Sequence, residues 1–287
     1  MTRVLHISDT HFGTERPDVV EALVALAGEQ APELVVLGGD ITQRARRAQF
    51  DAAARFAARL GAPVLAVPGN HDIPLFNLLA RWRAPYGGYR RAFGDALEPV
   101  YESPALLAIG VNSTRPARRK DGEVSPEQVR RVAGRLRAAA PSQLRLVVAH
   151  HPVRAIVGQD RVNLLHGHRA AVAAWAAAGA DLLLGGHIHL PYVRALGKNG
   201  ENAQDGPHIQ DAPSAWAVQA GTAVSRRVRG AVPNSVNLIV WDPSAIRRAC
   251  RVERWDCPGG GRPFERAGRH ELPLRPAIPP AATGGAG

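Results

Sequence analysis

Five short polar motifs, each closing an apolar run, constrain what this chain can fold into. They are Asp9-Thr10-His11, Gly39-Asp40, Gly69-Asn70-His71-Asp72, His150-His151-Pro152 and Gly186-His187-Ile188-His189. The runs before them, such as Val4-Leu5-His6-Ile7 and Leu34-Val35-Val36-Leu37, read as buried strands. Amphipathic stretches separate them: Val19 to Gly28, then a helix that Thr42 can cap, running to about Leu60. With Pro63–Val67 as a third strand, the opening is βαβαβ. That order predicts an α/β fold with parallel pairing and loops gathered at the carboxyl ends of the strands. All five motifs would then leave one sheet edge together.

The convergence has a chemical meaning. It gathers two Asp, one Asn and four or more His without a thiolate, a donor set suited to Mn, Fe, Zn or Co. Seven or eight ligands exceed what one ion takes; they suit two ions about 3.5–4 Å apart that share one carboxylate. The glycines before Asp40, Asn70 and His187 permit tight turns where side chains must meet.

Composition removes several classes. The 287 residues are 45% hydrophobic and 21% charged, enough for a full core. No apolar run approaches the roughly 18–20 residues of a membrane helix. Two cysteines, Cys250 and Cys257, cannot make a disulfide framework and have no matching thiols. Met1-Thr2-Arg3 leads straight into a strand-like run without a signal-peptide pattern, so a reducing, cytoplasmic, soluble protein is expected. The net charge is +11, and all the basic residues but Lys120 and Lys198 are arginine. They fall in small groups, Arg44/Arg46/Arg47, Arg118/Arg119, Arg226/Arg227/Arg229 and Arg247/Arg248, which suits local attraction of an anionic substrate. Without basic–aromatic interleaving or a groove-reading motif, nucleic acid is not the favoured partner. The pattern says nothing of oligomeric state.

Residues 73–97 interrupt the alternation with Phe76, Trp82, Tyr86, Tyr89 and Phe93, broken at Pro85 and Gly87-Gly88. Two readings stand: helices packed on the core, or a cap over the site, with Trp82 and Tyr86 as stacking surfaces for substrate. Further strands are expected at Val100-Tyr101, Leu106–Val111, Leu144–Ala149 and Asp181–Leu184, with helices from Ser125 to about Ala140 and from His168 to Ala178. Ser125 and Gln128 form a capping-box pattern around Pro126. From residue 191 the texture is β, and 258–287, rich in Pro, Gly and Ala, reads as a poorly ordered tail after a domain of residues 1–257. His6 reads as core, His166 and His168 as structural, and Thr222 and Ser225 as candidate pocket residues.

In this order, the five motifs resemble the blocks of the calcineurin-like metallophosphoesterase superfamily over roughly residues 1–240. The Gly69-Asn70-His71-Asp72 and His150-His151-Pro152 forms resemble its class III cyclic-nucleotide phosphodiesterase branch, which includes glycerophosphodiesterases. The resemblance implies a four-layer αββα sandwich of two mixed sheets flanked by helices. It implies one metal held by Asp9, His11 and His189, another by Asn70, His150 and His187, and Asp40 bridging the two. His150 is preferred to His151 because the family's ligand stands two residues before the proline. His71 would serve the leaving group, with Asp72 orienting it, and Asn70, His71, His151, Trp82 and Thr222 are the expected substrate contacts. The implied activity is hydrolysis of a phosphodiester, such as a 3′,5′-cyclic nucleotide, by a metal-bridging hydroxide. Competing readings are a phosphomonoesterase, nucleotide-sugar hydrolase or nuclease of the same fold, and a non-catalytic scaffold or nucleic-acid-binding protein.

Overall fold

A computed structural model describes residues 1–197 and 215–276. The order opens β1 (Thr2–Ile7), α1 (Pro17–Gln30), β2 (Leu34–Leu37), α2 (Arg47–Ala58) and β3 (Val64–Ala66). Two short helices follow, α3 (Leu78–Arg83) and α4 (Gly87–Phe93), then β4 (Val100–Ser103), β5 (Leu106–Val111), α5 (Pro126–Ala138) and β6 (Leu144–Ala149). The remainder is α6 (His168–Ala177), β7 (Leu182–Gly185), β8 (Tyr192–Leu196), β9 (Ala215–Gln219), β10 (Asn234–Trp241), β11 (Ala249–Cys257) and β12 (Glu265–Pro273).

The strands form two six-stranded sheets, ordered β12-β11-β10-β1-β2-β3 and β4-β5-β6-β7-β9-β8. The βαβαβ expectation holds: β1–β2 and β2–β3 pair in parallel, while β1 also meets β10 antiparallel, which makes the sheet mixed. In the second sheet β5, β6, β7 and β9 run parallel.

Alternation along each strand builds the layers. Val4, Leu34, Val36, Leu146, Val148 and Leu184 fill the space between the sheets. Leu5, Ile7, Val35 and Leu37 point the other way, onto α1, α2 and α4. Val147 and Leu183 face α5 and α6, where Trp175 is fully buried. Because both faces of these strands are covered, they read as largely apolar runs, broken by His6 in β1 and Arg145 in β6. Each fully buried aliphatic side chain contributes about 1.5–3 kcal/mol. The result is the expected four-layer sandwich. Among the described residues no helix is long and apolar enough to cross a membrane.

Three sequence expectations need correction. Helix α2 begins after Arg46, not at Thr42; the Thr42 hydroxyl instead donates to Asp72 Oδ1 and accepts from the Ala45 amide. The expected tail is in part a strand: β12 pairs antiparallel with β11 from Ala249↔Pro273 to Asp256↔Glu265, extending the first sheet beyond residue 257. Residues 277–287 of that tail lie outside the described residues. Finally, residues 73–97 divide in function. Tyr89 is buried, and its hydroxyl donates to the Ala66 carbonyl, while Phe93 packs against the same core. Phe76 and Trp82 are more than three-quarters exposed, since α3 has no buried residue.

Candidate metal centre

The loops after β1, β2, β3, β6 and β7 leave the carboxyl ends of both sheets and meet at the rim of the sandwich. Their close approach demands unusual backbone. Asp9, His11, Asp40, His187 and His189 all have φ between 43° and 72°, a region few non-glycine residues enter. Such strain persists only where the surroundings enforce it, and it gathers at functional sites. Gly69 and Gly186 are there for want of space: a Cβ at Gly69 would lie 2.0 Å from the Asp40 amide nitrogen, and one at Gly186 would lie 1.9 Å from Ser8 Oγ.

One group of donors is Asp9, His11 and His189. The Nε2 atoms of His11 and His189 are 3.1 Å apart, and Asp9 Oδ1 is 3.2 Å from His189 Nε2 and 3.8 Å from His11 Nε2. The other oxygen of Asp9 accepts from Ser8 Oγ at 2.7 Å and the His187 amide at 3.0 Å. The second group surrounds Asp40. Its Oδ1 lies 3.3 Å from His150 Nε2 and accepts from the His71 amide at 2.8 Å, while Oδ2 lies 3.8 Å from His11 Nε2. Asp40 thus reaches both groups.

Hydrogen bonds set the tautomers. His150 Nδ1 donates to the Gly38 carbonyl at 2.9 Å and His189 Nδ1 to the Arg227 carbonyl at 2.5 Å. With Nδ1 so engaged, Nε2 of each ring is the nitrogen turned toward the carboxylates, the usual arrangement behind a metal-binding imidazole. His151 differs. It lies within the same donor trio as His150 and His187, but its Nδ1 meets Ser113 Oγ and its Nε2 the Lys120 carbonyl. Of the adjacent pair, His150 has the nitrogen to give.

The electrostatics are those of a site short of positive charge. Asp9 and Asp40 are buried, and among the described residues neither has a Lys or Arg partner. Burial would raise both carboxyls, but His189 beside Asp9 and His150 beside Asp40 hold them well below the usual carboxylate range. Burial would likewise depress His150, yet the pull of Asp40 lifts it to about 9. His11 and His187 are pushed down to about 3 and about 4, chiefly by burial, which keeps them neutral and able to donate a lone pair. Four buried atoms on these residues, His11 Nδ1, Asn70 Oδ1, His150 Nε2 and His187 Nδ1, have no hydrogen-bond partner among the described residues. Leaving a buried polar atom unpaired costs about 1–3 kcal/mol. Four at one place, beside two buried carboxylates, fit divalent cations.

The other expected site residues are distributed differently. Asp72 does not orient His71. Its carboxylate accepts from the Ile41, Thr42 and Gly69 amides and from Thr42 Oγ1, which ties the β2 loop to the β3 loop. Burial and the nearby Asp40 charge push Asp72 up to about 6. His71 is oriented by the Gln43 carbonyl, 2.9 Å from Nδ1, and its Nε2 accepts from Arg227 Nη1 at 3.2 Å. Thr222 is buried behind the site and donates to the Arg227 carbonyl at 2.8 Å. Trp82 is away from the site, 5.8 Å from the Arg83 guanidinium. Tyr86 is hydrogen-bonded to Thr114. The groove beside Asn70 and His71, about 300 Å³, is walled instead by Ile73 and Leu75 and edged by Arg44, Arg119 and Lys120. Arg227 and Gln43 were not singled out as site residues from the sequence; for Arg227 the one signal was its place in a small arginine group after a strand.

Comparison with known proteins agrees with this geometry. Residues 2–191 match the family described as calcineurin-like phosphoesterase. The chain belongs to that family. It is 26% identical over 171 residues to a probable cyclic nucleotide phosphodiesterase from Synechococcus, covering 59% of this chain and 62% of that protein. It is 35% identical over 80 residues to a glycerophosphodiester phosphodiesterase of Enterobacter lignolyticus, covering 23% of this chain and 28% of the relative. The matches thus span less than two thirds of either relative. A dimetal phosphatase from Danio rerio superposes with a TM-score of 0.64 at 14% identity, over 96% of this chain and 99% of its own, which shows a shared fold.

Proposed function

We propose that this calcineurin-like phosphoesterase is a binuclear metal-dependent phosphodiesterase, with 3′,5′-cyclic nucleotides as the substrate class its relatives suggest. The observation that carries the reading is the set of four unpartnered buried atoms, on His11, Asn70, His150 and His187, beside the buried Asp9 and Asp40. Asp9, His11 and His189 would hold one ion, Asn70, His150 and His187 the other, and Asp40 both. Two such ions polarise phosphoryl oxygens and make a water nucleophilic near neutral pH. The protein's own contribution is positional. Ser8 and the His187 amide fix the Asp9 carboxylate, and the carbonyls of Gly38 and Arg227 fix the rings of His150 and His189. Asn70, being neutral, holds its ion less tightly than a third carboxylate would. Arg227 would meet the charge that develops on the leaving oxygen as a fixed cation, and His71, whose Nε2 accepts from Arg227 Nη1, would position that guanidinium.

The test is reconstitution. Metal-stripped protein is loaded separately with Mn²⁺, Fe²⁺, Zn²⁺ and Co²⁺ and assayed on cyclic nucleotides, bis(p-nitrophenyl) phosphate and p-nitrophenyl phosphate. Diester hydrolysis that appears only with metal supports the reading. Metal-independent turnover, or a strong preference for the monoester, would overturn it.

A further inference from the structure

The groove beside His71 carries more positive charge than a phosphodiester needs. Its edge is formed by three cations from two loops: Arg44 after β2, and Arg119 and Lys120 between β5 and α5. None is in an ion pair among the described residues. The nearby Glu123 is taken by Arg115 at 3.8 Å and Arg118 at 2.6 Å. The single charge of a diester is already answered by the metal centre, His71 and Arg227. Three further like charges at one exposed edge repel each other and together attract an additional anion.

The loop that carries Arg119 and Lys120 is also held in place. The buried His151, which has no free nitrogen for metal, grips the carbonyl of Lys120 through Nε2 at 3.0 Å and Ser113 through Nδ1 at 2.8 Å. Gly122 presses on the same ring, so closely that a Cβ there would lie 2.2 Å from His151 Cγ. The loop bearing Arg119 and Lys120 is therefore fastened to the histidine next to His150. On the opposite side, the Arg44 guanidinium sits 5.3 Å from the centre of the Phe76 ring. Between them the wall is apolar, formed by Ile73 and Leu75.

Resting on the phosphodiesterase reading, but moving its substrate beyond a simple 3′,5′-cyclic nucleotide, whose single charge leaves these cations unmet, we infer that the substrate carries a second anionic group on its leaving-group side, joined to the scissile phosphate by an apolar or planar spacer. The spacer lies along Ile73 and Leu75, and the anion meets Arg44, Arg119 and Lys120. His151 is then a positioning residue for Lys120, which gives the second histidine of His150-His151-Pro152 a purpose.

The test uses two diesters that differ in one group: methyl 4-carboxyphenyl phosphate and its 4-carbamoylphenyl isostere, with the metal-loaded enzyme at low salt. The carboxylate makes the poorer leaving group electronically, so a preference for it reports recognition. We expect kcat/KM to favour the carboxylate by about 10-fold, since each cation contributes modestly at an exposed edge. The ratio should fall toward one in the Arg119→Ala/Lys120→Ala double variant and in high salt, where exposed charges are screened. Because the ratio is internal to each protein, a general loss of activity in the variant does not obscure it. If wild type cleaves both diesters equally, or prefers the carboxamide, the second-anion proposal fails while the phosphodiesterase reading stands. If it cleaves neither, both fail.

Discussion

The Nε2 atoms of His11 and His189 face each other at 3.1 Å, with Asp9 Oδ1 3.2 Å from the second. His189 has its proton on Nδ1, shared with the Arg227 carbonyl, and burial keeps His11 neutral. A divalent cation between them would take both nitrogens in place of the proton they share at this spacing. Divalent metal should therefore stabilise the fold by mass action, by about 2.7 kcal/mol at a hundredfold excess over Kd. Thermal melts with Zn²⁺ or Mn²⁺, and again after chelation, should show Tm rising by several degrees and then returning. A Tm indifferent to both treatments would contradict the arrangement.

Asp72 is expected to matter through structure. Replacing it with Ala strands the amides of Ile41, Thr42 and Gly69, all inside the protein. Asp72→Ala should cost about 2–4 kcal/mol in urea unfolding. Asp72→Asn, which keeps one acceptor oxygen, should cost less. Equal stability of Asp72→Ala and wild type would remove Asp72 from this role.

His6 gives a pH dependence. It lies buried in β1, with Nδ1 3.4 Å from Asn237 Nδ2, and burial pushes its pKa down to about 4 against the opposing pull of Asp9. The unfolded chain takes up the proton near the ordinary value of about 6.5, so between these values it binds more protons than the folded one. Stability contributed by neutral His6 is intact above about pH 6.5 and is lost as pH falls toward 4. Wild type should lose about 2–3 kcal/mol more than His6→Leu between pH 7 and pH 4.5, read from urea midpoints and slopes. Parallel losses in the two proteins would refute the assignment.

The fold was legible where strands are covered on both faces. Leu34–Leu37 is an unbroken apolar run and Leu144–Ala149 is broken only by the buried Arg145, because each side meets a layer. β12 was not legible, since it lies at the sheet edge, mostly exposed, and carries charges, a glycine and a proline in place of alternation. The start of α2 was misread because the Thr42 hydroxyl is engaged by Asp72 from another loop, a long-range contact that capping rules do not see. The metal-centre motifs stood out because Asp, Asn and His recur after apolar runs. The choice between His150 and His151 depends on two carbonyls, Gly38 and Lys120, far away in sequence. Trp82 had the composition of a cap residue, but α3 is too short to press it onto anything.

Asp40 is the residue on which the two-metal account stands, because its two oxygens face His150 and His11, one on each side of the centre. Elemental analysis of reconstituted wild type and Asp40→Asn, with diester turnover measured on the same samples, tests it most directly. The account predicts two metal equivalents in wild type, and in Asp40→Asn the loss of at least one together with a fall in kcat of about 10²-fold or more, the scale on which removing one stabilising group is felt. Two tightly held ions and near-normal turnover in Asp40→Asn would contradict it.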